Sequence, residues 1–250
     1  MILSYRLARV PKPHLTLLLS YSQALVTGGV DGLACVFDCG ALADEEAALS
    51  GVLSVGSTVA RLGFCGAGGA RLWATTGTEE LSLWRWADFE RLGSAPDTRA
   101  AAAAAAASCP AAAAAMLGDE QQVAVDYLVR CEWDAAQQRL WLLAGTQGGA
   151  VAAFPVSEPD ADAGLRIGAP GLLLAGGHGD VVRAVEWRPE RGAARGALTG
   201  GEDSRLCVWA PPQLAPAAEE GPAAMEEQQP MAHGAARRSV SSDSARFSPY

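Results

Sequence analysis

The residues of this chain best equipped for chemistry are His178, directly after Gly177, and then Thr199, Asp203 and Trp209. An imidazole, a hydroxyl and a carboxylate in one segment could form a nucleophilic relay, with Asp203 orienting His178 and His178 activating Thr199. A relay of that kind is recognised by exposed geometry and roles rather than by composition. The same groups together with an indole N–H also have complementary donors and acceptors, so all four can be satisfied at once when buried. Left unpaired in a core, each would cost roughly 1–3 kcal/mol, so a network of this kind fixes register as much as it stabilises. Asp203 follows Thr199 by four residues and precedes Trp209 by six, which places the three around a tight turn between two strands. That spacing favours the structural use.

The elements that must position these residues are short strands. The stretch GGHGDVVRAVEWRPERGAARGALTGGEDSRLCVW (176–209) opens on Gly-His, runs through an apolar strand and an acidic turn, and ends a strand on Trp. It resembles one blade of a WD-type β-propeller, a unit that recurs every ~40–45 residues and folds as four strands. The resemblance implies that His178, Thr199, Asp203 and Trp209 join in a buried hydrogen-bonded network. The pattern recurs in weaker form. In ALVTGGVDGLACVFD, Asp31 has Thr27 four residues before it and Phe37 six after, a degenerate equivalent set. Around Trp84 the hydroxyl and acid positions hold Ala74 and Thr78; around Phe154 they hold Ala144 and Gly148. These middle blades are expected to rely on apolar packing alone.

Phe37 and Trp84 are 47 residues apart, Trp84 and Phe154 70, and Phe154 and Trp209 55. Against a repeat of about 43, the second interval carries about 27 extra residues and the third about 12. Residues 93–119 and the loop 158–170 have those sizes. The first contains Ala100–Ala107 and Ala111–Ala115 on either side of Pro110, where alanine's helix propensity allows two short helices. With no amphipathic face, this tract is expected to be a tolerated surface insertion.

The stretches GGVDGLACVFD (28–38), VDYLVRCEWDAAQQRLWLLAGTQG (125–148) and 176–209 together resemble the WD repeat-containing protein 89 family. The resemblance covers roughly 23–210, apart from the alanine insertion. It implies a binding platform with protein partners, no catalytic residues and no cofactor or metal. Propellers of that family look seven-bladed, whereas this chain supplies three to four blades. The expected fold is therefore all-β, a partial WD40-type propeller over 21–210, with an uncertain segment at 1–20 and a disordered tail at 211–250. After Trp209 the prolines cannot supply the last blade's outer strand. That strand must come from missing sequence or from His14–Tyr21. The blade count points to an incomplete chain, such as a truncated gene model, ahead of a natural half-propeller that dimerises.

A net charge of −9, from 28 acidic and 19 basic residues, argues against direct nucleic-acid binding, which needs a basic stripe. The acidic, Pro-, Ala- and Ser-rich tail cannot bury enough apolar surface to order itself. Six scattered cysteines without a Cys-x-x-Cys pair, and only three histidines, leave little material for a zinc site. Strand-embedded free cysteines fit a reducing compartment, cytoplasmic or nuclear. No apolar stretch approaches the ~20 residues of a membrane span. The basic, acid-free start with Arg6, Arg9 and Lys12 reads either as an organellar transit peptide or as a piece of a preceding blade; the second fits better, because blade sequence begins by Ala24.

The functional expectation is a non-enzymatic scaffold or adaptor for protein–protein interaction. The alternatives are a subunit of a ribonucleoprotein-associated assembly and an enzyme built on the propeller channel. Arg85, Arg130, Arg183 and Glu186 are the candidate binding-face residues.

Overall fold

The computed structural model of the chain describes residues 15–21, 24–41, 43–118, 122–158, 164–189 and 195–209. Among the described residues the strands form four successive antiparallel sheets, each a blade. The first is β1 (Leu15–Tyr21), β2 (Ala24–Gly29), β3 (Leu33–Asp38) and β4 (Leu49–Ser54), with the short helix α1 (Glu45–Ala48) leading into β4. The second is β5 (Val59–Cys65), β6 (Arg71–Thr76), β7 (Leu81–Arg85) and β8 (Glu90–Ala95). Two helices follow, α2 (Thr98–Ala107) and α3 (Pro110–Ala115). The third blade is β9 (Tyr127–Asp134), β10 (Arg139–Gly145) and β11 (Val151–Ser157), with β12 (Arg166–Ile167) and β13 (Leu172–Leu174) both paired to β11 at its outer edge. The fourth is β14 (Val182–Pro189), β15 (Arg195–Gly201) and β16 (Leu206–Trp209). The described residues therefore fold as four blades of a partial WD40-type β-propeller.

Alternation explains why such short segments hold as strands. In β10, Leu140, Leu142 and Ala144 enter a core shared with the second blade, while Trp141 and Leu143 enter a core shared with the fourth. In β11, Ala152, Phe154 and Val156 face the first core, and Val151 and Ala153 the second. A strand covered on both faces reads as one continuous apolar run, as RLWLLAG does. Burying a side chain such as Phe154 or Leu142 stabilises the fold by about 1.5–3 kcal/mol.

The first strands of successive blades, β1, β5, β9 and β14, lie side by side in that order and form the channel side. Each carries one register shift: at Leu15/Leu17, at Val59/Arg61, at Val129 opposite Leu143/Ala144, and at Val182/Ala184. Such bulges bend the strand and re-aim the side chains beside them.

Three expectations are corrected. Leu15–Tyr21 is not a remnant of a preceding blade, nor does it complete the last one. It pairs with β2 as the channel strand of the first blade, Tyr21 opposite Ala24.

The region 93–119 is not a surface insertion. Gly93–Ala95 belong to β8, and the helices pack into the core between the second and third blades. Thr98, Ala102 and Ala106 recur every fourth residue and are fully buried, as are Ala112 and Met116. A stripe of methyl groups is an apolar face even though no side chain in it is large, and its smallness lets the helix approach closely. Asp97 caps α2 by accepting the Ala100 N–H (3.0 Å), and Pro110 opens α3. The Thr98 hydroxyl accepts the Leu81 N–H (3.0 Å) and donates to the Ala95 carbonyl (2.7 Å), tying the helix to its blade.

The loop at 158–170 likewise includes β12, which extends the third blade's outer edge. The expected tail at 211–250 lies outside the described residues. Among those described, no helix is long and apolar enough to cross a membrane.

Candidate functional site

His178 sits in the connection between β13 and β14, with its side chain wholly buried. Its Nε2 lies 2.7 Å from Thr199 Oγ1, on β15, and its Nδ1 lies 3.0 Å from Asp203 Oδ1, in the turn before β16. Trp209, on β16, donates its indole N–H to the same Thr199 oxygen at 2.7 Å. A neutral imidazole carrying its proton on Nδ1 satisfies every group: Trp209 donates to Thr199, Thr199 to His178, and His178 to Asp203. Asp203 also accepts the N–H groups of Gly179 (3.0 Å) and Arg205 (3.1 Å). Desolvation pushes its carboxyl upward, but the hydrogen bonds from His178, Gly179 and Arg205 outweigh this and hold it at about 2.

The surrounding glycines explain the sequence pattern. A Cβ at Gly177 would come within 2.7 Å of the Trp209 ring, and one at Gly201 within 2.7 Å of His178 Nδ1. Gly149, at φ +85° in the turn between β10 and β11, brings the third blade against the His178 backbone, where a Cβ would lie 2.6 Å from its carbonyl oxygen. Thr199 is 1% exposed and its oxygen is engaged on both sides. The constellation links the β13–β14 connection, β15 and β16 through these hydrogen bonds.

In the first blade, Thr27 hydrogen-bonds the Cys35 thiol opposite it. Burial, with the nearby Asp31 carboxylate, pushes that thiol up, and the Thr27 hydrogen bond acts against them. Asp31 accepts the Leu33 N–H at 3.1 Å and so holds the turn, while Phe37 is buried opposite Leu25.

The middle blades do not rely on apolar packing alone, as was expected of them. In the second, Trp84 donates its indole N–H to Ser82 Oγ at 3.0 Å, and the Ser82 hydroxyl donates to the Ala74 carbonyl at 3.4 Å. In the third, Asp126-Tyr127-Leu128 ties three blades together. Asp126 accepts the Gln147 N–H (2.7 Å), the Tyr127 hydroxyl oxygen accepts the Val182 N–H (2.7 Å), and Leu128 donates its N–H to Glu79 (3.4 Å). Arg99 of α2 completes the junction, pairing with Glu79 at 2.5 Å and donating to the Asp126 carbonyl at 3.1 Å.

Three of the four candidate binding-face residues, Arg130, Arg183 and Glu186, converge on one cavity of about 250 Å³ on the channel side, together with Arg61. Arg85 does not join them. It lies on β7 and pairs with Asp88 (2.7 Å) and Glu90. Arg130 pairs with Glu132 at 3.0 Å and Arg183 with Glu202 at 2.6 Å. Burial pushes the Glu132 carboxyl up, Glu186 adds to this, and Arg130 opposes it. Arg61 was missed by sequence reasoning. Its signal was present: Val59-Ala60-Arg61, Leu128-Val129-Arg130 and Val181-Val182-Arg183 each place two apolar residues before an arginine at the start of a channel strand. Among the described residues, no group of three or more His, Cys, Asp or Glu could hold a metal ion.

Curated proteins similar to this chain include two WD repeat proteins. WD repeat-containing protein GTS1 of Arabidopsis thaliana is 36% identical over 188 residues, covering 74% of this chain and 43% of its own length. WD repeat-containing protein 89 homolog of Dictyostelium discoideum is 25% identical over 186 residues, covering 74% of this chain and 45% of its own length. The chain thus spans less than half the length of either relative. Among solved structures, a chain of the mitotic checkpoint complex is 14% identical with a TM-score of 0.47, covering 75% of this chain and 47% of that one. The computationally designed Ika4 protein is 16% identical with a TM-score of 0.44, covering 80% and 92%. No protein-family model matches the chain.

Proposed function

Because the chain belongs to the WD repeat proteins of the WD repeat-containing protein 89 type, we propose that it is a non-enzymatic scaffold or adaptor for protein partners. Its WD repeat relatives support a protein-interaction kind of function. The observation that carries the finer reading is the state of its most reactive-looking residues. His178, Thr199 and Asp203 are all engaged internally, with Thr199 buried and the imidazole wholly enclosed. What the channel side offers instead is a rim of charged and apolar side chains suited to contact.

This function needs no cofactor, direct nucleic-acid contact or membrane. A net charge of −9 favours protein-mediated membership of any ribonucleoprotein assembly over contact with its RNA. Free cysteines lying within strands support a cytoplasmic or nuclear setting. Affinity capture of the tagged chain tests the proposal. Stoichiometric recovery of one protein complex is the expected outcome. Recovery of none, with turnover of a small molecule by the purified chain, would overturn it in favour of an enzyme.

A further inference from the structure

Resting on that scaffold reading, we propose that the cavity bounded by Arg61, Arg130 and Arg183 docks an acidic peptide segment of a protein partner, carboxylates interleaved with apolar residues. The three arginines come from three successive channel strands, each bulged, and their side chains line one space of about 250 Å³. About eight waters at ~30 Å³ each would fill it. A depression of that size accommodates the side chains of a docked segment.

The charge at this site is unevenly satisfied. Arg130 holds Glu132 and Arg183 holds Glu202, yet among the described residues Arg61 has no carboxylate partner. Arg130 Nε is buried without an acceptor. A guanidinium fork matches a carboxylate in two parallel hydrogen bonds, so free arginine donors favour Asp or Glu over a neutral side chain. Leu198 (38% exposed) and Leu206 (77%) also line the space, so the site offers apolar contact beside its charges. A continuous line of phosphates would meet Glu186 in the lining, with Glu132 and Glu202 already held on two of the arginines. Isolated carboxylates on a peptide can step between them.

Fluorescence anisotropy on the purified chain tests this, using a fluorescein-labelled peptide of alternating Glu and Leu. The controls are the same peptide with Gln for Glu and a single-stranded oligonucleotide. The Glu peptide should bind and weaken with added salt, and the Gln peptide should bind at least about tenfold more weakly. Arg61→Glu and Arg183→Glu, both at exposed side chains, should each weaken the Glu peptide about tenfold; Arg61→Glu should leave thermal melting unchanged, and Arg183→Glu, which gives up only the exposed Glu202 pair, should leave it nearly so. Arg61→Gln and Arg183→Gln serve the same purpose if charge reversal unfolds the chain. Equal binding of the Gln peptide, indifference to the arginine variants, or preference for the oligonucleotide would each overturn the site. A protein complex captured equally by the natural chain and the Arg61→Glu, Arg183→Glu double variant would overturn this site and leave the scaffold standing. Failure of both to capture any protein would instead overturn the scaffold reading.

Discussion

Ser82 stands directly across the ladder from Ala74, and from there its hydroxyl accepts the Trp84 indole N–H. In the fourth blade the corresponding hydroxyl belongs to Thr199, on the second strand, and the residue opposite it is Cys207. The second blade has moved the hydroxyl from its second strand to its third while keeping the indole satisfied. Ser82→Ala should therefore destabilise the protein by roughly 1–3 kcal/mol, the range for orphaning a buried donor. Adding Ala74→Thr should recover part of that loss. Urea denaturation of both variants checks the exchange, and an Ala74→Thr change that only adds to the damage would refute it.

Thr199→Val removes the atom that links Trp209 to His178. The expected loss is roughly 1–3 kcal/mol, and His178→Ala should fall in the same range. The double variant should lose less than the sum, because the first change already breaks what the second would remove. Strict additivity in a denaturation cycle would show that the four side chains do not act as a unit.

The depressed Asp203 carboxyl gives a pH signature. Its folded value of about 2 lies below the ordinary 3.8, so the folded state favours the ionised form. The stability it contributes is complete above about 4 and is lost as the pH falls through about 2. Asp203→Asn should remove that component. Unfolding followed from neutral to acid pH should then show a smaller decline for the variant between about 4 and 2, and parallel curves would contradict the assignment.

The fourth blade shows how far the sequence could be read and why reading stopped. Its Gly-His, Thr, Asp and Trp are each an individually recognisable type at fixed spacing, and the glycines are required by close approach. Ser82 was invisible for a physical reason: a template reads along the chain, whereas a ladder lets the opposite strand supply the same atom. Ala102 and Ala106 were misread because periodicity is judged by contrast, and an all-alanine segment has none. The face is created by what surrounds the helix, namely the Asp97 cap, the Thr98 hydrogen bonds and the blades against it.

Ala106→Leu should accordingly destabilise by about 1–3 kcal/mol through overpacking. Ala104→Leu, at an exposed position on the same helix, should stay within about 0.5 kcal/mol of the natural chain. Thermal or urea unfolding of the pair distinguishes a core helix from a surface tract, and equal effects would favour the tract.

The face of the fourth blade that carries Leu206 (77% exposed) and Val208 (82%), with Leu198 across the ladder from Val208, is an open apolar patch. At concentrations well above those of a peptide titration, the 250-residue chain should self-associate through it. Light scattering coupled to size exclusion should show oligomers or aggregates, reduced by Leu206→Lys with Val208→Lys. A soluble natural monomer that unfolds cooperatively would count against this.

The buried positions of α2 impose a phase on a stretch of sequence that looks free to drift. Runs of one residue lengthen and shorten easily by replication slippage, and a disordered run would absorb any change. Here each added alanine turns everything after it by about 100° around the helix axis. One extra residue between Ala102 and Ala106 would swing Ala106 out of the core, along with the connection that carries Ala112 and Met116 inward. Changes of three or four residues, close to a full turn, would restore the alignment. Length variants of this tract should therefore be tolerated in steps of a helical turn, so that a segment of nearly no information content is counted, residue by residue, by the blades on either side.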